Sequence, residues 1–262
     1  MTEHIIPPEN LEEIAKKFGL GKYAPKTTAQ NPKTSTDTSS TTTSGEFLIE
    51  ELTDGYRLHN VLYDSEVCAL TWNTELLDGG NSHKQDEWVK ISDQLPDTRA
   101  YYASLLALYK NKDGVQSDLV EKVREMFAKD FKENWMMTST RITYKPKGKD
   151  EVTHDLGSNS ESSIDVTFVG PDNYVNSKSG FEDEMEALFR TRDCKEVSKV
   201  FKWVTKKATY LYRINSTPQK NDQRALLLGG VNNYFSIDAD DDIDYDDGPA
   251  RGVVVAREKT PH

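Results

Sequence analysis

From Val231 to Gly248 the chain reads VNNYFSIDADDDIDYDDG. In the first half of this stretch, Phe235, Ile237 and Ala239 alternate with polar residues. A period of two is that of a β-strand with one buried face. The pattern therefore predicts a strand that directs its apolar residues into a core. The residues predicted to share its exposed face are Ser236, Asp238 and Asp240.

The same segment carries much of the negative charge of the protein. The formal net charge is −11, and seven aspartates lie between Gly229 and Gly248 without any Lys or Arg. Because repulsion among carboxylates destabilises compact structure, we interpret this excess as part of a recognition surface. A phosphate backbone would be repelled by it, which argues against nucleic acid as a partner.

A calcium site is an alternative interpretation of the aspartates. Numbered from Asp238, an EF-hand loop needs Gly at its sixth position and Glu at its twelfth, where the chain has Ile243 and Pro249. This spacing excludes an EF-hand. It leaves open an irregular metal site, or a metal-dependent enzyme that combines residues 238–247 with a histidine such as His154. For His154 itself, a structural hydrogen bond is the competing interpretation.

The N-terminal part of the chain has a different composition. Apolar residues at helical spacing predict a short amphipathic helix within residues 1–22. Residues 23–45 are predicted to be a disordered linker, because twelve of the 22 residues from Ala24 to Gly45 are Ser or Thr. The helix is interpreted as a docking segment for another protein and the linker as a spacer, with a frayed chain end as the alternative.

The body, residues 46–262, contains grouped helix and strand patterns. Helical spacing predicts helices over residues 97–110, 118–134, 181–190 and 193–204, and Asp193 with Glu196 resembles a capping box. Because the elements are grouped and do not alternate, we predict an α+β fold with several helices packed on short antiparallel sheets. Strands are predicted over residues 47–52, 56–62, 67–72, 138–144, 151–154, 164–168, 210–214, 225–228 and 253–256, and a loop over residues 78–83.

Other features limit the function classes. Cys68 and Cys194 are too few for a disulfide scaffold or a zinc site, and we predict two buried thiols. No nucleophile motif, Walker loop or dinucleotide-binding glycine fingerprint occurs, so no catalytic residue, metal or cofactor is predicted. No apolar stretch approaches the roughly 18 residues of a membrane span, and no secretory signal is present. We therefore expect no membrane insertion. The sequence does not decide between a cytoplasmic location and attachment to a surface through another protein.

Residue usage near the C-terminus resembles that of a known group. Lys, Glu, Gln, Met and Trp are absent from Ala225 to Arg257, whereas Asn, Asp, Ser, Tyr and Ile recur. Replacing adenines in an Asn codon produces this set, as in the variable proteins of diversity-generating retroelements. The segments WMMTSTR (135–141), YLYRINS (210–216), RAL (224–226) and PARGVVV (249–255) look similar to blocks in archaeal members of this group.

The resemblance implies a C-type lectin-like fold, of the subgroup that includes formylglycine-generating enzymes, with a variable region over residues 226–252. It also implies a non-enzymatic receptor or adhesin-like protein that binds a protein or glycan ligand. Phe235, Ile237, Ala239 and Ile243 would be scaffold. Enzymes of that architecture use cysteines close to the C-terminal groove, and the two cysteines are not so placed. The implied variable binding residues are Asn232, Asn233, Tyr234, Ser236, Asp238, Asp240, Asp241, Asp242, Asp244, Tyr245, Asp246 and Asp247.

Overall fold

The computed structural model describes residues 46–230, 233–243 and 248–258. All of these residues belong to one structural unit. The N-terminal helix predicted within residues 1–22 and the linker predicted over residues 23–45 lie outside the described residues.

The described residues form five α-helices and eleven β-strands. The helices are α1 (Gln85–Ile91), α2 (Thr98–Lys110), α3 (Ser117–Glu133), α4 (Glu182–Phe189) and α5 (Cys194–Thr205). The strands are β1 (Leu48–Glu51), β2 (Gly55–Tyr63), β3 (Glu66–Leu76), β4 (Trp135–Tyr144), β5 (Asp150–His154), β6 (Ser162–Val166), β7 (Asn173–Tyr174), β8 (Ala208–Tyr212), β9 (Asp222–Gly229), β10 (Tyr234–Asp242) and β11 (Arg251–Arg257).

The strands form two sheets. The smaller sheet is antiparallel with the order β1-β2-β3-β11, so the last described strand returns to pair with the third. The larger sheet has the order β6-β5-β4-β9-β10-β8-β7. In it, β10 pairs antiparallel with β9 but parallel with β8. Grouped helices beside largely antiparallel sheets make this a mixed α+β protein, as predicted.

The main core lies where helices pack on one face of the larger sheet, which we call its inner face. Helix α3 contacts β4 and β9, and α5 contacts β8 and β10. Helix α5 buries Val197, Val200, Phe201 and Val204, whose spacing follows the helical period. The ring of Phe201 stacks on that of Phe235 in β10 with a centroid distance of 4.5 Å. The helices therefore hold β10 from its inner side.

Side chains cap two of these helices at their N-termini. The Asp97 carboxylate accepts a hydrogen bond of 2.7 Å from the Ala100 amide at the start of α2. Asp193 accepts one of 2.9 Å from the Glu196 amide at the start of α5, which is the N-cap bond of the predicted capping box. The reciprocal bond of the box is absent, because the Asp193 amide donates to Thr191 Oγ1 at 3.2 Å. Such bonds satisfy amides that have no partner within the helix.

The predicted helices and strands of the body agree with the structure to within a few residues at their ends. The predicted loop contains a short 3₁₀ helix at Leu77–Gly80. Helix α1 and the two-residue strand β7 were not predicted. Helix α1 buries only Gln85 and Trp88, and seven residues with two buried positions are too few to give a recognisable apolar period.

Candidate binding face

Strand β10 places its apolar residues as the sequence predicts. Phe235, Ile237 and Ala239 are at most 1% exposed and belong to the main core. Because successive side chains of a strand point to opposite faces, the residues between them lie on the outer face of the larger sheet. The outer face is therefore where Tyr234, Ser236 and Asp238 are found.

Part of the outer face is covered by a second group of apolar residues, which we call the outer cluster. In β4 and β9 it contains Met137, Ala225 and Leu227, which alternate with residues of the main core. Trp88 of α1 packs against them from outside. The outer cluster contains no residue of β8 or β7, so it does not cover the outer face of these two strands. The cluster consists of Trp88, Leu95, Met137, Ala225, Leu227 and Ala250, with Leu77, Val89, Trp135 and Ile243 packed against them.

Ser236 departs from the sequence prediction. It was expected on an exposed face, but it is 1% exposed. It lies between Tyr210 of β8 and Gly229 of β9, and the backbone of Gly230 approaches so closely that a Cβ there would lie 3.5 Å from Ser236 Oγ. The predicted exposure of Ser236 is therefore wrong, because the neighbouring strands and Gly230 cover it. Its Oγ has no hydrogen-bond partner among the described residues.

A β-bulge interrupts the pairing of β10 with β9. Asp238 pairs with Leu227 and Asp241 with Ala225, so β10 has one extra residue between these positions. A bulge shifts the alternation of side chains by one position. Asp238 and Asp241 consequently both lie on the outer face, where their partners Leu227 and Ala225 belong to the outer cluster. Without the bulge, two residues three positions apart would lie on opposite faces. Asp238, Asp241 and Asp242 are half-buried, and Asp240 is exposed.

Arg224 partly offsets the charge of these aspartates. It forms two hydrogen bonds with the Asp222 carboxylate, of 3.1 and 2.9 Å. Its Nη1 donates to the Asp240 carbonyl oxygen at 2.9 Å and lies 3.8 Å from the Asp240 carboxylate. Partial burial raises the pKa of Asp240; Arg224 opposes this shift, and Asp172 and Asp222 add to it. One guanidinium is thus shared by the Asp222 and Asp240 carboxylates.

The segment between β10 and β11 is anchored at both of its described ends. Ile243 packs against the outer cluster, in agreement with its predicted scaffold role. The Gly248 carbonyl oxygen accepts a hydrogen bond of 2.7 Å from the Trp88 indole. Gly248 also pairs with His83, and a Cβ at this position would lie 2.2 Å from the Trp135 carbonyl oxygen. Only glycine fits there, so the chain is fixed on either side of residues 244–247.

Two of the remaining predicted binding residues lie at the start of β10, and the others lie outside the described residues. Asn233 is exposed immediately before β10, and Tyr234 is half-buried at its first position. The predicted binding residues that lie outside the described residues are Asn232, Asp244, Tyr245, Asp246 and Asp247.

Tyr234 belongs to a group of aromatic side chains that sequence reasoning missed. The hydroxyl groups of Tyr234 and Tyr212 are hydrogen-bonded, and the Tyr210 ring lies 5.0 Å from that of Tyr234. The Tyr174 ring lies 5.0 Å from that of Tyr210. We call these four residues the tyrosine patch. Tyr210 and Tyr212 are two residues apart, and that spacing was the available signal that they share a strand face.

His154 does not combine with the aspartates of β10. It is fully buried in β5, which β4 and β9 separate from β10. Three strand spacings amount to roughly 14 Å, too far for ligands of one metal ion. Its Nε2 lies 2.8 Å from the Ala187 carbonyl oxygen and its Nδ1 3.0 Å from Thr140 Oγ1. These contacts support a structural role. No group of three metal-ligating side chains occurs within the part of the chain that the structure describes.

A buried ionic network adjoins His154. Arg99 is 3% exposed and is hydrogen-bonded to Asp97, to Asp64 at 3.1 Å and to Asp155 at 2.8 Å. The Tyr63 hydroxyl donates to Asp97 at 3.2 Å. Burial, with the Asp97 charge, raises the pKa of Asp155 to about 6. Because these groups are paired with one another around a buried guanidinium, we interpret the network as structural.

The buried imidazole leads to a testable pH dependence. Burial lowers the pKa of His154 to about 4, below the value of 6.5 for an exposed histidine. The unfolded chain then binds more protons between these values, so this group lowers stability as the pH falls. We expect the free energy of unfolding of the unmodified protein to decrease by about 2 kcal/mol more than that of His154→Gln between roughly pH 7 and 5.

Urea titrations at both pH values measure this difference. Asp155 contributes in the opposite direction over an overlapping range, since its pKa is raised, but it is common to both proteins and cancels in the comparison. Equal pH dependence of the two proteins would contradict a buried neutral imidazole.

Both cysteines are in the main core. Cys68 lies in β3 and Cys194 begins α5, and both are buried free thiols. Burial raises the pKa of each thiol. A raised pKa keeps a thiol protonated and poorly nucleophilic. The prediction of two buried thiols is confirmed.

Comparisons with known proteins give no assignment for this arrangement. No protein-family model matches the sequence, and neither the curated proteins nor the solved structures give a significant match. Among the described residues, no helix has the length and apolar character that a membrane-spanning helix requires.

Proposed function

We propose that this is a non-enzymatic ligand-binding protein whose outer face at β10 and the following loop is diversified to change specificity. The observation that carries the proposal is that β10 has one set of residues buried in the core and another set accessible at the surface. Phe235, Ile237 and Ala239 are buried in the main core. Asp238 and Asp241 pair with Leu227 and Ala225 of the outer cluster and are half-buried on the outer face, and Asp240 is exposed at the bulge between them. The surface-accessible aspartates can be exchanged for other residues without changing the core packing beneath them.

The anchors of the loop support the same proposal. Ile243 and Gly248 are held by the outer cluster and by the Trp88 indole. Arg251 is only 4% exposed and is bonded to Asp130 of α3. Sequence changes between such fixed points alter a surface while the scaffold remains in place, which is how binding loops on rigid scaffolds acquire new specificities.

The proposal includes a C-type lectin-like fold of the subgroup with formylglycine-generating enzymes, in an archaeal retroelement variable protein. The α+β architecture is compatible with this assignment. The codon-like residue usage from Ala225 to Arg257 remains its main support. The genomic test is a near-identical repeat that differs from the coding DNA only at adenines, beside a reverse transcriptase gene. A coding region without such a repeat would contradict the retroelement assignment.

The binding proposal is tested with two displayed libraries of the full chain. One library varies Asn233, Tyr234, Asp238, Asp240 and Asp241 among the residues that adenine replacement allows. The matched library varies the scaffold positions with the same residue set, at Phe235, Ile237, Ala239 and Ile243. We expect most members of the first library to resist proteolysis, and selection against an arbitrary protein target to yield binders from it. Few members of the second should be folded. If members of the first library fold but none of them binds any target, the proposal is contradicted.

A direct stability prediction concerns the aspartates. Replacing Asp238, Asp240 and Asp242 together by Asn keeps their size while removing three negative charges. We expect the free energy of unfolding to change by less than about 1 kcal/mol, since surface substitutions usually have small effects. Thermal melts with calcium and with a chelator measure this. Loss of the fold, or a midpoint that calcium raises only in the unmodified protein, would favour the metal-site alternative.

A further inference from the structure

The tyrosine patch is organised around Tyr210. Its ring centroid lies 5.0 Å from that of Tyr174, 4.9 Å from that of Tyr212 and 5.0 Å from that of Tyr234. Tyr174 meets Tyr210 edge to face at 85°, and Tyr234 is tilted from Tyr210 by 32°. The bond between the Tyr212 and Tyr234 hydroxyls fixes these two rings relative to each other. The four rings therefore form one aromatic surface.

Strand register brings these rings together. In the parallel pair of β10 and β8, Ser236 lies beside Tyr210 and Asp238 beside Tyr212. In the antiparallel pair of β7 and β8, Tyr174 lies beside Tyr210. The residues between the two tyrosines of β8 and directly before them, Leu211 and Thr209, are buried. The tyrosines consequently lie on the outer face, where Tyr174 is 46% exposed.

Two carboxylates lie beside the patch: Asp238 pairs with Tyr212 across the strands, and Asp172 accepts a hydrogen bond of 2.9 Å from the Arg213 amide, next to Tyr212. Desolvation and the nearby Asp172 carboxylate raise the pKa of Tyr210. The hydrogen bond with Tyr234, desolvation and the Asp238 carboxylate raise that of Tyr212. Asp172 and Asp222 also act on Asp240, and the guanidinium of Arg224 is bonded to Asp222. At the other end of the patch, Lys207 Nζ donates to the Gly230 carbonyl oxygen at 3.1 Å. Among these described groups, carboxylates outnumber cations.

We propose that the tyrosine patch binds the guanidinium or ammonium group of an Arg or Lys side chain in a basic segment of a partner protein. The inference deepens the proposed function, because Tyr234 and Asp238 are exchangeable under it and Tyr174, Tyr210 and Tyr212 lie outside the variable region. Ring faces attract cations, and this attraction increases when carboxylates lower the surrounding potential. The constant tyrosines then supply affinity for a cation, and the variable residues select among basic segments.

The charge distribution favours a cationic ligand over a neutral glycan. A sugar ring can stack on tyrosine, but it gains nothing from the charges of the Asp172 and Asp238 carboxylates. A guanidinium uses both features, since its plane stacks on aromatic faces while its N–H groups donate to carboxylates. Opposite charge also raises the rate of association at low ionic strength.

The experiment measures the affinity of the full chain for a labelled peptide that alternates Arg and Gly, by fluorescence anisotropy. A peptide with the neutral isostere citrulline in place of Arg is the ligand control. Tyr210→Leu removes the aromatic quadrupole but keeps an apolar side chain, and Tyr210→Phe keeps the ring. We expect the citrulline peptide to bind at least roughly tenfold more weakly, and Tyr210→Leu to weaken Arg-peptide binding roughly fivefold. Tyr210→Phe should remain within about twofold of the unmodified protein.

Equal affinities of Tyr210→Leu and Tyr210→Phe, with both folded by circular dichroism, would overturn the inference. Preference for a neutral oligosaccharide over the Arg peptide would also overturn it. Either result leaves the proposed function intact if the library of β10 variants yields binders. Conversely, a contrast between Leu and Phe at position 210, with no binders from that library, would support the patch and contradict the diversified surface.

Discussion

Arg251→Met is expected to lower the free energy of unfolding by about 3–5 kcal/mol. Arg251 and Asp130 are each 4% exposed. Arg251 Nε lies 2.5 Å from Asp130 Oδ2 and Nη2 lies 2.8 Å from Oδ1, a bidentate pair that connects β11 to α3. Nη1 also donates to the Asn73 carbonyl oxygen in β3. Removing the guanidinium leaves the Asp130 carboxylate buried without its counter-ion, and desolvation of that charge is the cost.

Urea denaturation measures this loss, and two variants serve as controls. Arg257→Met breaks the pair with Glu66, which is also close at 2.6 Å, but the Arg257 side chain is 81% exposed. An exposed pair contributes less than about 1 kcal/mol. The double variant Arg251→Met with Asp130→Leu removes both charges and should recover part of the stability. A loss at Arg251 no larger than that at Arg257 would show that the buried pair does not brace the end of the variable region.

Phe235→Ala is expected to cost about 3–5 kcal/mol of unfolding free energy. Phe235 is 1% exposed. It stacks on Phe201 of α5 at 4.5 Å and meets Phe131 of α3 edge to face at 5.1 Å. The truncation leaves a cavity between β10 and two helices, which rigid secondary structure can close only in part.

The matched variant for Phe235→Ala is Asp240→Ala, on the same strand but exposed. We expect it to change the unfolding free energy by less than about 0.5 kcal/mol. Denaturant midpoints with unchanged slopes measure both effects. If the two substitutions had equal effects, the proposed separation of β10 into a fixed and an exchangeable set of positions would be contradicted.

The elements that the sequence predicts well are those with a strong local period. Helix α5 buries Val197, Val200, Phe201 and Val204 at helical spacing, and β10 buries Phe235, Ile237 and Ala239 at a spacing of two. Such patterns arise because one side of each element must leave water. Seven-residue α1 has too few apolar positions for a period to be seen, although Trp88 anchors the outer cluster.

The candidate site was predictable only in part. The acidic strand and the scaffold role of Ile243 followed from composition and alternation. Ser236 was predicted to be exposed because its own strand gives no information about what covers it. Its burial comes from Tyr210 and Gly230, which belong to other segments. The tyrosine patch was missed for the same reason, since its members come from three strands.

The sequence by itself determined which apolar residues enter the main core in the elements with a clear period, such as α5 and β10, because their burial follows from hydrophobicity and from that period. It also determined that the surface at β10 is acidic. Tertiary structure alone decided which surfaces meet: that β10 runs parallel to β8, that Tyr174 lies beside Tyr210, and that Arg251 reaches Asp130. Pairing between strands distant in the chain depends on backbone hydrogen bonds and on shape complementarity across the whole fold. Neither of these is determined by the residues of one strand.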